Sequence, residues 1–173
     1  MKLAAEYKLA TALIEHLQGD GELSAAVLAE PFDHTDQCQA IALAAQQHDF
    51  AIAVEPLPVQ LPTDPTDRTG VATLRLAVHV LTTTHVTPKL ACDGGQLASG
   101  QSAAALAASV QGAVLACCCT FCPEGVRGIP YALPVLESVA ELDLSKFDAL
   151  ANLTGAAIML SHKANLKQYY LQK

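Results

Sequence analysis

The stretch VATLRLAVHVLTTTH, residues 71–85, constrains the fold more than any other part of this chain. Leu74, Leu76, Val78 and Val80 alternate with Thr73, Arg75, Ala77 and His79, and a period of two puts the two sets on opposite faces of a strand. The aliphatic set has to be covered. A long half-buried strand therefore commits the chain to a sheet with a second layer packed on it.

The neighbouring segments say what that layer is. From Lys2 to Leu17, the residues Leu3, Tyr7, Ala10, Ile14 and Leu17 recur every three or four positions and predict an amphipathic helix, ended by Gly-Asp-Gly at 19–21. Asp33 or Thr35 can cap a second helix with Cys38, Ile41, Ala42 and Ala45 as its apolar stripe, running to about His48. FAIAVEP (50–56) is a near-continuous apolar run stopped by Pro56, the pattern of a strand buried on both sides. Pro56, Pro58, Pro62 and Pro65 then predict a long loop over 57–70, exposed in an isolated subunit and ordered against a partner. A second loop, 88–101, leads into a helix from about Ser102 to Cys119. Its Ala105/Ala108/Gly112/Leu115 face and its Leu106/Val110/Val114/Cys117 face are both apolar or small, which predicts a helix sandwiched between layers. After the turn-rich 123–130 come two extended stretches, YALPVLESVAELD and NLTGAAIMLSHKA, with an irregular passage at 139–152. This order of elements predicts an α+β fold, with a mostly antiparallel sheet covered on one face by helices.

Composition narrows the function classes. At 51% hydrophobic and 16% charged, 173 residues suit a single domain, 1–173, with one core. Glu6, Lys8, Glu15 and His16 interrupt the N-terminal stretch, so it does not read as an export signal. The most apolar window, 102–119, contains Ser109 and Gln111, is dominated by alanine, and lacks basic anchors, so it reads as a buried helix and no membrane span is expected. A net charge of −7 without a basic run leaves no phosphate-neutralising surface for tight DNA or RNA binding. Six cysteines without an export signal point to a reducing cytoplasm with free thiols.

The segment LACCCTFCP (115–123) brings Cys117, Cys118, Cys119 and Cys122 into six positions. A structural zinc site needs two converging pairs from separate segments, and here Cys38 and Cys92 are isolated from each other and from histidines at ligand spacing. A redox Cys-x-x-Cys motif sits at a helix N-terminus, which lowers the thiol pKa, whereas this pair falls at a predicted C-terminal end. The remaining reading is packing, with cysteine acting as a small hydrophobe. The histidines at 16, 34, 48, 79, 85 and 162 are scattered. His79 and His85 would share a strand face but stand about 20 Å apart, too far to chelate together. Glu137, Glu141 and Asp143 read as a charged strand face, not as paired acids. No catalytic, cofactor-binding or metal-ligating residue is assigned, and an enzyme is not expected. The alternative is a cytosolic cysteine-rich metal-binding or redox module.

The succession QAIALAAQQHDFAIAVEP, proline-rich loop, VATLRLAVHVLTTTHVTP and QSAAALAASVQGAVLA resembles the tail terminator (tail completion) proteins of long-tailed bacteriophages and prophages. The likeness covers roughly residues 36–163 and rests on the order and pattern of elements. It implies an α+β structural virion protein that forms a ring, usually of six copies, on the head-proximal end of a tail tube. Its partners would be further copies of itself, the tail-tube protein and the head-tail connector. It would act in the host cytoplasm during assembly and then in the virion tail. The family has no catalytic residue to carry over. The cysteine run and the irregular 139–152 depart from its pattern.

Overall fold

A computed structural model of the protein describes residues 4–33, 37–63, 69–84, 103–126 and 128–171. Leu3, His34, Thr35, Pro65, His85, Cys92 and the loop 88–101 lie outside the described residues. The strands β1 (Phe50–Gln60), β2 (Val71–Thr83), β3 (Val135–Glu141) and β4 (Leu153–Asn165) form one antiparallel sheet in the order β1-β2-β4-β3. The helices are α1 (Ala5–Gln18), α2 (Cys38–His48), α3 (Ala103–Thr120) and the short α4 (Leu166–Leu171). This is the α+β fold that the sequence predicts.

The alternation in β2 decides the packing. Leu74, Leu76, Val78 and Val80 are buried together with Ile52 and Val54 of β1 and Ile158 and Leu160 of β4. Against that face lie Leu9, Leu13, Ile14 and Leu17 of α1 and Val110, Val114 and Cys118 of α3. Each fully buried aliphatic side chain stabilises the fold by about 1.5–3 kcal/mol before chain entropy is counted. On the other face, Ala51 and Ala53 of β1 and Leu81 of β2 cluster with Ile41, Ala42 and Ala45 of α2 and with Leu150 and Leu153. Small strand residues there let α2 come close, so the β1 end of the sheet has cover on both sides.

Four expectations need correction. In α1 the buried row is Ala5, Leu9, Ala10, Leu13, Ile14 and Leu17, while Tyr7 is exposed. The stripe drawn through Tyr7 omitted Leu9 and Leu13, the larger anchors. In α2, Gln37 occupies the N-cap without a side-chain cap. Asp33 meets it through its backbone, its carbonyl accepting the Gln37 N–H at 3.0 Å.

The third correction is at the prolines. β1 does not stop at Pro56 but continues to Gln60, with Pro56 opposite Leu76 and Leu57 opposite Arg75, and an irregularity only between Leu57 and Gln60. The reason is parity. The carbonyls of Ile52 and Val54 accept the N–H groups of Leu28 (2.9 Å) and Phe32 (2.7 Å) on the outer side of the strand. In an antiparallel ladder a residue's N–H and C=O point the same way and alternate along the strand. Pro56 shares the parity of 52 and 54, so its nitrogen faces outward and no bond to β2 is lost, while Pro58 falls in the irregularity, where the regular ladder is already interrupted. The expected loop over 57–70 therefore begins only at Leu61, and Leu61, Pro62 and Thr63 are exposed.

The fourth is α3. It is not sandwiched: Val110, Val114 and Cys118 are buried, but Ala105, Ala108 and Gly112 of the supposed second face are exposed. Alanine and glycine carry too little apolar area to demand cover, so an apolar count does not fix their side.

Candidate functional site

The cysteine run occupies the last turn of α3, and the helix splays it apart. Cys118 is fully buried in the core, Cys117 is half-buried, Cys119 is exposed and Cys122 lies beyond the helix end, half-buried. Successive residues turn by about 100° around a helix, so adjacent thiols cannot converge on one point. Burial, with the neighbouring thiols Cys117 and Cys119 adding to it, pushes the Cys118 thiol up to about 12. Burial and then the Asp20 carboxylate push Cys117 upward as well. Both changes favour the neutral thiol, which is neither nucleophile nor ligand. Among the described residues, no three side chains of His, Cys, Asp or Glu are grouped so that they could hold a metal ion.

The end of α3 is closed by α1. His16 donates from Nε2 to the Cys117 carbonyl at 3.1 Å and stands 3.3 Å from Thr120 Oγ1. Thr120 donates to the same carbonyl at 2.9 Å. These bonds satisfy a terminal carbonyl that the helix leaves without a partner. The His16 ring rests on Phe121, with centroids 5.5 Å apart. His16 thus serves as a structural link between the two helices.

The acids that the sequence offers do not form a pair. Glu137 accepts both from Arg75 Nε and from its guanidinium NH2, each at 2.9 Å, across the sheet. Glu141 is exposed. Asp143 accepts the Ser145 hydroxyl and N–H, and these bonds hold its carboxyl below the usual range. One acid-base contact escaped sequence reasoning: His79 Nε2 lies 2.7 Å from Glu55 Oε2. The register explains it, since Ala53 faces His79 and Glu55 faces Ala77, which makes Glu55 and His79 diagonal neighbours on one face. Phe32 stands edge-on to the His79 ring at 5.6 Å. The pair lies in the wall of a cavity of about 320 Å3 between α2 and the 142–150 segment.

His162 is the other histidine that the fold puts to use. It is buried, with Nδ1 2.9 Å from the Lys163 carbonyl and Nε2 2.8 Å from the Ala132 carbonyl. The second contact fixes the chain just ahead of β3. Nothing in the sequence marks it, because the partner is a backbone atom 30 positions away.

The least chemical feature is the most informative. The two edges of the sheet are finished differently. The β1 edge is covered by the 27–32 segment through a parallel bridge between Val27 and Ile52 and the bonds from Leu28 and Phe32. All seven residues of β3 are exposed, and among the described residues nothing pairs with its outer side. Leu136 and Val139 lie on the α1/α3 side of the sheet, opposite Leu160 and Ile158, while Val135 lies on the other side, opposite Ser161. Tyr131 and Leu133, just before the strand, are exposed too. An unpaired edge with apolar residues on both faces is a template for association. No family model and no curated protein matches this chain.

Proposed function

We propose that this protein is a structural virion subunit, a tail terminator that caps a bacteriophage tail tube as a ring and joins it to the head connector. The observation that supports this reading best is the order of elements from Cys38 to Asn165: a short helix running directly into a strand, a long alternating strand, an alanine-rich helix, and two closing strands. That is the order on which the resemblance rests. The chemistry is in keeping with it. Burial pushes the Cys117 and Cys118 thiols toward the neutral form, and Glu137 and Asp143 are engaged in structural contacts, which supports an assembly role over a reaction at the cysteine run.

The partners in this reading are further copies of the chain, the tail-tube protein and the connector, met in the host cytoplasm and retained in the virion tail. A net charge of −7 suits a passage in which DNA slides without sticking. Among the described residues no helix is long and apolar enough to cross a membrane. The test is deletion of the gene from the parent prophage, followed by electron microscopy of the induced particles. Tails of uncontrolled length, or tails that fail to join heads, are the expected result. Normal infectious particles would refute the proposal.

A further inference from the structure

The open β3 edge has a chemical complement elsewhere on the same molecule. Tyr131, Leu133 and Val135 are 69%, 60% and 63% exposed, and Leu136 and Val139 about 40% (42% and 39%). Spread over both faces of the edge and not forming one patch, they leave on the order of 500 Å2 of apolar surface, against about 800 Å2 per side in a standard interface. Among the described residues, nothing pairs with the N–H and C=O groups on the strand's outer side.

α2 carries the second surface. Its 11 residues include no Asp, Glu, Lys or Arg, although its outer face is exposed: Gln39, Ala40, Leu43, Gln46 and Gln47. Leu43 is 57% exposed. By contrast Lys8 and Glu15 charge the outer face of α1. Charge depletion is the compositional mark of an interface core. Glutamine amides, moreover, both donate and accept, as a strand edge requires. The surface thus offers an apolar centre for Leu136 and Val139 and, around it, amide groups suited to the free backbone of β3. α2 packs on β1, at the far end of the sheet from β3.

We infer that the β3 edge of one copy seats on the outer face of α2 in the next copy, which rests on the ring reading above and names its contact. Two distinct surfaces on one chain make a heterologous, head-to-tail contact, the kind that closes into rings. A pairing of β3 with β3 would instead give an isologous dimer and stop there.

The experiment uses the full chain and two variants at exposed positions, Leu136→Glu with Val139→Glu for the strand edge and Leu43→Glu for the helix. Circular dichroism checks that both fold as the wild type does. In sedimentation velocity the wild type should assemble with rising concentration, each variant alone should stay monomeric, and an equimolar mixture should form a one-to-one heterodimer and nothing larger. The mixture stops there because only one intact pair of surfaces remains. Assembly of Leu43→Glu like the wild type, or of the edge variant, overturns the contact, as does a mixture that stays monomeric. A wild type that is monomeric at every attainable concentration overturns it too. None of these failures touches the deletion phenotype, so the contact and the tail-terminator reading can fail separately.

Discussion

Cys118 gives the protein a specific weakness toward alkali. Its thiol rises from an ordinary value near 9 to about 12 because folding removes it from water. A group that holds its proton more tightly when folded contributes stability that is complete below the unfolded value and is lost as pH rises toward the folded one. Between pH 8 and pH 10 the unfolded thiol ionises and the folded one does not, which lowers the unfolding free energy by on the order of 1 kcal/mol. The loss continues as pH rises toward about 12. Cys118→Ala should cost about 1 kcal/mol at pH 8, the burial of one methylene-sized group with a small cavity left behind. In return it should remove this part of the pH dependence. Urea unfolding of both proteins at pH 8 and pH 10 measures the double difference, in which the alkaline groups distant from Cys118 cancel. Equal losses in wild type and variant would show that Cys118 is not the buried neutral thiol described here. Alkylation gives an independent check: Cys119 should label in the native state and Cys118 only on unfolding.

Three further outcomes follow from the packing. Gly128→Ala should destabilise by at least about 2 kcal/mol in thermal or urea unfolding, because φ there is +82° and a Cβ would sit 2.8 Å from Asn165 O and Tyr169 N. Val114→Ala, at a fully buried position, should cost about 2 kcal/mol or more. Ala108→Gln, six residues earlier on the exposed side, should stay within about 0.5 kcal/mol, and equal effects of the two would restore the sandwiched helix. Arg75→Ala breaks a half-exposed ion pair with Glu137 and should cost no more than about 1 kcal/mol, a cost that shrinks in high salt.

The sheet was legible where size and period agreed. Leu74, Leu76, Val78 and Val80 could only face a core, and the structure buries all four. Pattern failed where side chains were small or the backbone decided. The exposed Ala105, Ala108 and Gly112 of α3 look apolar in sequence and sit at the surface, because their burial offers little free energy either way. Pro56 and Pro58 look like strand breakers, yet they occupy β1: Pro58 falls in an irregularity of the ladder, and whether a proline such as Pro56 breaks a ladder depends on which way its nitrogen points. That direction is set by pairing partners far along the chain and by the 27–32 segment beside them.

The same physics explains why the candidate surface was harder to read than the core. A core strand announces itself by alternation, because one face must be dry and the other wet. β3 is wet on both faces in the single chain, so Val135, Leu136, Val139 and Ala140 mix with Glu137, Ser138 and Glu141 in no period. If β3 is buried only in the proposed assembly, the selection for burial acts on only part of its length. The tell-tale sign is therefore a mismatch between composition and exposure. Leu133 and Val135 are each at least 60% exposed, and α2, whose outer face is exposed, has no charged residue of the Asp, Glu, Lys or Arg kind. Each mismatch alone is common among surfaces. Their coexistence on two separate elements of one chain, one with backbone groups that no described residue pairs and the other rich in amides, is the physical basis of the proposed head-to-tail contact.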